Sequence, residues 1–159
     1  AGDDLVFGDR CQARILYPTA DLSPRKADDR SLVVRIDSGP YRILWCNDAG
    51  FITEKTLLER AQPADLQADI IIRNQNAGDF SMLAEFLDAV KPRCIISSNN
   101  DMPVEEKLPA SLRRSCQERG VRLLDQKQTG AVTIRIWPQR LDVVPFRGET
   151  KSITLIPGR

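Results

Sequence analysis

The chain has 159 residues, of which 42% are hydrophobic and 28% are charged, values typical of one globular domain rather than of a disordered segment. It contains no histidine, which excludes a histidine-ligated metal centre and a nucleophilic triad with a histidine base. No apolar run approaches the ~20 residues of a membrane-spanning helix, so we expect a soluble domain.

The predicted elements of the first half are strands followed by a helix. Residues 31–36 and 41–46 are rich in β-branched and aromatic residues and predict a β-hairpin, with Gly39 supplying the turn. Before them, residues 14–17 predict a short strand and residues 18–30 a loop. After Phe51 the apolar period becomes helical, and Thr53 is the predicted N-cap.

The second half alternates strands and helices and then ends in antiparallel strands. The predicted strands are residues 69–72, 94–96, 121–124, 131–137, 141–146 and 152–156. The predicted helices are a segment capped by Ser81 and stopped by Pro92, and residues 108–119, ended by Gly120. This order predicts an α/β fold, a mixed β-sheet flanked by helices, in one domain over residues 1–159. Residues 1–10 and 148–159 are predicted to be loosely ordered ends.

Four short stretches and a closing one carry a family resemblance. They are Asp28-Asp29-Arg30-Ser31-Leu32-Val33, Asn47-Asp48-Ala49-Gly50, residues 68–81, residues 85–93, and Thr129-Gly130-Ala131-Val132-Thr133. Their order and spacing resemble the C-terminal metallo-β-lactamase-like domain of the ComEC family of DNA-internalisation competence proteins. The resemblance implies the second half of an αββα sandwich, whose first half the chain lacks. It also implies a bacterial inner-membrane channel that takes up single-stranded DNA, with zinc or manganese activating water for phosphodiester hydrolysis.

The chain departs from that family at the metal ligands. The family's His-x-His-x-Asp-His motif is absent, and Asp48 is the single position that matches a ligand. Gln75 and Asn76 occupy the family's His-His-Gly-Ser step, and Asp101-Met102-Pro103 replaces its Gly-His-Pro step. One carboxylate and weakly ligating amides cannot hold zinc, so we expect neither zinc nor manganese to bind and no catalysis. Asp48, Gln75 and Asn76 would then mark a former active site.

Alternatives stay open at these positions. Asp48 is either a surviving ligand or a loop carboxylate that caps a nearby backbone N–H. Cys46 either pairs with Asp48 or packs in the core, as predicted also for the other cysteines, which form no Cys-x-x-Cys pair and are expected to be buried, reduced thiols. The amides at 74–76 and 99–100 either keep a former cleft polar for binding phosphates or base edges, or belong to ordinary turns.

Basic residues concentrate near the C-terminus. Residues 110–159 hold ten Lys and Arg against four Asp and Glu, a net charge of +6, whereas the chain as a whole has +1. The arginines could form a surface that contacts DNA phosphates, or a solvated basic face, with Trp137 and Phe146 the aromatic residues nearby. The candidate DNA-binding residues are Arg113, Arg114, Arg119, Arg122, Arg135 and Arg140, with Arg147 beside them.

Three functions are compatible with these patterns. The leading hypothesis is a metal-free ComEC-like domain associated with DNA uptake that contacts DNA or serves in assembly, and whose partners include DNA, a membrane channel domain or the missing half-domain as alternatives. The second is half of a metal-dependent nuclease whose ligand-bearing N-terminal half-domain lies upstream. The third is a structural domain that binds a partner or a second copy, because a lone half-domain would expose the apolar face that normally meets its twin.

Overall fold

The computed structural model describes residues 2–21, 31–74, 81–99, 107–147 and 151–158. The strands are β1 (Asp4–Phe7), β2 (Cys11–Tyr17), β3 (Val33–Ser38), β4 (Tyr41–Asn47), β5 (Ile70–Arg73), β6 (Cys94–Ser97), β7 (Arg122–Asp125), β8 (Val132–Trp137), β9 (Arg140–Pro145) and β10 (Ile153–Leu155). The helices are α1 (Phe51–Arg60), α2 (Pro63–Leu66), α3 (Ala84–Val90), α4 (Ala110–Glu118) and α5 (Gln126–Thr129).

The larger sheet contains seven strands in the order β1-β2-β3-β4-β5-β6-β7. The strands β1 to β4 pair antiparallel, whereas β4 to β7 pair parallel and are connected through helices. The parallel strands are continuous apolar runs because both of their faces are covered. The predicted α/β class with a mixed sheet flanked by helices is confirmed.

Successive residues of each central strand pack into two different cores. Leu44, Ile71 and Ile95 belong to the core beneath the helices, here the helix-side core. Ile43, Ile70 and Ile96, with other residues of the same parity, belong to a second core on the other face of the sheet. Strands point alternate side chains to opposite faces, so one short apolar run supplies both cores.

A three-stranded sheet, β10-β9-β8, closes this second core. Leu141 and Val143 of β9 are fully buried there, and Ile134 and Ile136 of β8 pack beside them. The expectation that a lone half-domain exposes the apolar face of its sheet is therefore wrong for the central strands. The chain's own closing strands cover that face because their inward positions are apolar.

Both predicted helix caps are wrong. Helix α1 follows Gly50, which places Thr53 inside its first turn, fully buried. Helix α3 follows Leu83, and Ser81 lies too far upstream to reach its N–H groups. Gly120 does follow α4 with a φ of +66°, as expected of a residue just past a helix end.

Three elements were not predicted: β1, α2 and α5. β1 pairs with β2 in an end predicted to be loosely ordered, whereas β10, paired with β9, confirms the strand predicted over residues 152–156. The four-residue helices α2 and α5 are too short to show an apolar period.

Candidate functional site

The parallel strands end in a row of polar residues. Asn47, Arg73, Ser97 and Asp125 are neighbours in register across β4, β5, β6 and β7. We call them the polar row. Arg73, Ser97 and Asp125 share the helix side of the sheet, where they are buried, whereas Asn47 follows a register shift in β4 and its Nδ2 donates to the Leu32 carbonyl at 2.8 Å. Ligand sites in parallel sheets form at this carboxyl edge. The row was missed in the sequence, although one polar residue directly follows three of the predicted apolar strands.

Of the positions predicted to mark a former active site, Asp48 is the one that lies within the described residues. Asp48 directly follows β4 and is exposed. Asn74 and Asn99 follow β5 and β6 and are half-buried. Gln75 and Asn76 lie outside the described residues, as do Asn100 and residues 101–103.

Arg73 is the cation at the centre of the polar row. Only 5% of its surface is exposed, and its Nη1 donates to Ser97 Oγ at 3.2 Å. Burial lowers the pKa of this guanidinium, and the electrostatic attraction of Glu54 opposes that effect. Among the described residues, neither the Nε atom of Arg73 nor the buried Oγ1 of Thr53 has a hydrogen-bond partner.

Glu54 is a buried carboxylate on α1, with 1% of its surface exposed. Its Oε1 accepts a hydrogen bond from the Met82 N–H at 2.6 Å, and its Oε2 accepts one from the Leu83 N–H at 2.8 Å. These N–H groups belong to the two residues that precede α3. The carboxylate therefore holds the segment that leads into this helix and provides a negative charge near Arg73.

Asp125 ends the polar row and is also held from two sides. Its Oδ2 accepts a hydrogen bond from Arg113 Nη2 at 2.7 Å, and its Oδ1 accepts the Lys127 N–H at 3.1 Å, which caps α5. Beside it, Ser98 Oγ donates to Gln126 Oε1. The polar row thus holds the helices to the sheet through internal contacts.

The residues that the structure describes at this edge do not fit the zinc or manganese that the family resemblance implies. Cys46 lies in the helix-side core with 1% exposed, and burial raises the pKa of its thiol, an effect that Glu54 increases. Arg73 is in register with Asn47, the residue before Asp48, and its guanidinium would repel a divalent cation at this edge. Within the described ranges no three His, Cys, Asp or Glu residues come together as a candidate metal site.

The cysteine prediction is confirmed for three of the four residues. Cys46, Cys94 and Cys116 are buried, free thiols, whereas Cys11 is half-buried. Desolvation raises the pKa of Cys94 to about 12 and also raises the pKa of Cys116. The alternative in which Cys46 pairs with Asp48 is therefore not the arrangement adopted, because Cys46 points into the core.

The candidate arginines do not form one surface. Arg113, Arg114 and Arg119 lie on or next to α4, in the helix layer, where Arg119 donates to Asp88 at 2.8 and 3.2 Å. Arg135 and Arg140 lie in the three-stranded sheet, on the opposite side of the molecule. Arg122 begins β7 and is exposed, and Arg147 donates to the Lys127 carbonyl. Chain proximity alone could not show this division.

Two of these arginines share a solvent-facing surface with a tryptophan. We call this surface the outer face; it comprises the residues of β8 and β9 that point away from the large sheet, namely Thr133, Arg135, Trp137, Arg140, Asp142 and Val144. The guanidinium of Arg140 lies 4.4 Å from the centroid of the Trp137 ring, a cation–π contact. Arg140 also pairs with Asp142 at 3.4 Å, and Arg135 is in register with Asp142.

A second aromatic residue lies at the far end of the same hairpin. Phe146 follows β9 and is 81% exposed. At about 3.4 Å per residue, it is roughly 20 Å along the strand from Arg140 and Trp137. An exposed aromatic ring thus marks each end of the outer face.

No family model matches the chain, and no curated protein matches it either. None of the helices in the described part of the chain is long and apolar enough to cross a bilayer.

Proposed function

We propose that this chain is a ComEC-like domain that contacts single-stranded DNA through the outer face and does not itself carry out metal-dependent cleavage. The observation that carries the proposal is the Trp137–Arg140 pair, with Arg135 beside it, on a sheet surface open to solvent. The sequence resemblance supports the link to DNA uptake, and the polar row supports a scaffold whose carboxyl edge now stabilises the fold.

The chemistry of the outer face suits a single strand better than a duplex. Each base of a single strand offers an aromatic face that can stack on Trp137 or Phe146, a contact worth about 1–3 kcal/mol per base. The guanidinium groups of Arg135 and Arg140 can contact the phosphates between stacked bases. A duplex presents only its charged backbone to a flat face of this kind.

The outer face has a small excess of positive charge. It carries Arg135 and Arg140 against Asp142, because several other arginines of the segment 110–159, whose net charge is +6, lie in the helix layer. Excess positive charge raises the local concentration of a polyanion and speeds its association. On the outer face itself, Asp142 offsets part of this charge by pairing with Arg140.

The test is a fluorescence-anisotropy titration with single- and double-stranded DNA at two salt concentrations, with and without zinc or manganese. We expect single strands to bind more tightly, binding to weaken steeply with salt, and added metal to produce neither tighter binding nor cleavage. Trp137→Ala and the double variant Arg135→Ala/Arg140→Ala should each weaken binding about ten-fold or more.

Arg114→Ala is the matched control, because Arg114 is an exposed arginine of the helix layer. It should change the affinity by less than about two-fold. Equal losses for Arg114→Ala and for the outer-face variants would refute the outer face as the binding surface. Metal-dependent cleavage would instead support the half-nuclease alternative.

A partner-binding role is the second candidate, and β1 favours it. Leu5, Val6 and Phe7 are 54%, 71% and 59% exposed, and β1 is an edge strand that pairs only with β2 among the described strands. An exposed apolar edge is a template for a strand from another chain, either a second copy or a separate half-domain. Light scattering that shows a monodisperse monomer would count against the second copy.

A further inference from the structure

A groove adjoins one end of the outer face. It lies between the turn that joins β3 to β4 and the turn that joins β8 to β9, and its volume is about 570 Å³. The first turn contributes Ser38, Gly39 and Pro40, and the second contributes Ile136, Trp137 and Pro138. Volumes of this size are typical of sites for small organic groups.

The lining of the groove combines apolar walls with one cation. Pro40, Ile136 and Trp137 provide the apolar surface, and Arg10 is the only charged side chain among the described residues that line it. Trp137 also belongs to the outer face, where it is in contact with Arg140. Arg10 therefore lines the groove itself, and Arg140 lies against the ring of the tryptophan that forms its aromatic wall.

This combination fits a flat, uncharged ring that carries an anionic group on each side. A nucleobase within a DNA strand has that chemistry, since its ring is aromatic and a phosphate lies on each side of its sugar. An apolar peptide would use the walls but would leave both arginines without a counter-charge. A base inside a duplex is paired and stacked, so it would have to leave the duplex before its ring could stack on Trp137 in the groove.

We propose that this groove takes one unpaired nucleobase of a single-stranded DNA, stacked against Trp137, with Arg10 and Arg140 contacting the phosphates on either side. The inference rests on the proposed function and adds the element that selects single strands. It also assigns a role to Arg10, which lies outside the basic C-terminal segment.

The experiment uses Trp137 as its own reporter. The chain has two tryptophans, so Trp45→Phe leaves Trp137 as the single indole. This variant is titrated with an oligothymidylate and with an abasic oligonucleotide of the same length and charge, recording intrinsic fluorescence and anisotropy together. We expect saturable quenching by the oligothymidylate, and for the abasic strand no quenching and an affinity about ten-fold lower.

Two further variants separate the groove from the rest of the outer face. Ser38→Phe should fill the groove and abolish quenching while the salt-dependent binding of the abasic strand persists. Arg10→Ala should weaken binding of the oligothymidylate about three- to ten-fold, about one phosphate contact, whereas Arg114→Ala should leave it unchanged.

The outcomes distinguish the two proposals. Quenching and affinity that persist unchanged in Ser38→Phe and in Arg10→Ala would overturn the groove inference and leave the proposed function standing, because a base would then stack on Trp137 from the outer face alone. Binding of the oligothymidylate without quenching of Trp137, or equal affinity for the abasic strand, would overturn both. Absence of binding to any oligonucleotide would overturn both. Quenching by a proline-rich peptide, but not by the oligothymidylate, would assign the groove to a peptide and overturn the inference.

Discussion

Replacing the buried carboxylate of Glu54 tests whether the internal electrostatics of the polar row stabilise the fold. In Glu54→Gln the side chain keeps its shape but loses its charge. One of its oxygens becomes an amide NH₂, which would face either the Met82 or the Leu83 backbone N–H. At the same time the buried guanidinium of Arg73 loses the negative charge that favours its ionised form.

The expected loss follows from these two changes. A buried backbone donor left without an acceptor costs about 1–3 kcal/mol. Removing one partner of a buried pair of charges costs about 3–5 kcal/mol, because the remaining charge stays in a poorly solvating environment. The two effects share one carboxylate and are not additive. We therefore expect the free energy of unfolding to fall by about 3–5 kcal/mol, a large part of the stability of a small domain.

Urea unfolding followed by tryptophan fluorescence and by far-UV circular dichroism measures this loss. A double-mutant cycle with Arg73→Met isolates the charge effect, because Glu54→Gln in that background should cost only the unsatisfied N–H. Glu59→Gln is the matched control, since Glu59 is an exposed glutamate on the same helix and should change stability by less than about 0.5 kcal/mol. A loss below about 1 kcal/mol for Glu54→Gln, or strict additivity in the cycle, would refute the reasoning.

Three other predictions concern packing, thiol reactivity and pH. Leu141→Ala should lower the free energy of unfolding by about 2–5 kcal/mol, because Leu141 is fully buried between the two sheets, and a loss under about 1 kcal/mol in urea would contradict that packing. Iodoacetamide at pH 8 should modify Cys11 first and spare Cys94, whose pKa is raised to about 12 by burial; peptide mass mapping showing equal rates would disprove it. Hydrogen bonds from Arg119 lower the pKa of Asp88 in the folded chain. Their contribution to stability is therefore fully present above the pKa of an ordinary carboxyl group, about 3.9, and is lost as the pH falls through the lowered pKa of the folded state. The difference in Tm between the native chain and Asp88→Asn should thus close on acidification, and a difference unchanged down to pH 2 would speak against the ion pair.

The sequence was most informative where a local pattern determines the structure. The predicted hairpin is present, and β3 extends to Ser38 because Gly39 and Pro40 alone form the turn between paired Ser38 and Tyr41. The alternation of apolar and polar residues in β8 is also visible in the sequence. The sequence does not show which surface the apolar side of β8 covers, because that depends on a contact between distant segments.

The candidate site was less predictable for the same reason. Arg113 and Arg140 both belong to a basic segment, yet one pairs with Asp125 in the helix layer and the other stacks on Trp137 in the small sheet. Which layer an arginine reaches depends on the fold, and composition contains no such information. Similarly, Glu54 reads as an ordinary helix residue until the fold brings the beginning of α3 to it.

The strand order of the large sheet has a consequence for synthesis. Each strand from β2 to β7 pairs with the strand that precedes it in the chain, so every new strand finds its neighbour already made as the chain leaves the ribosome. The sheet can grow in one direction, with no need to wait for distant segments. The closing strands β8 to β10 are made last, and until they emerge Ile43, Ile70 and Ile96 face water. A pause in translation before residue 130 would therefore leave a partly folded domain with an exposed apolar sheet face, which is prone to aggregation and is the stage at which a chaperone would be needed.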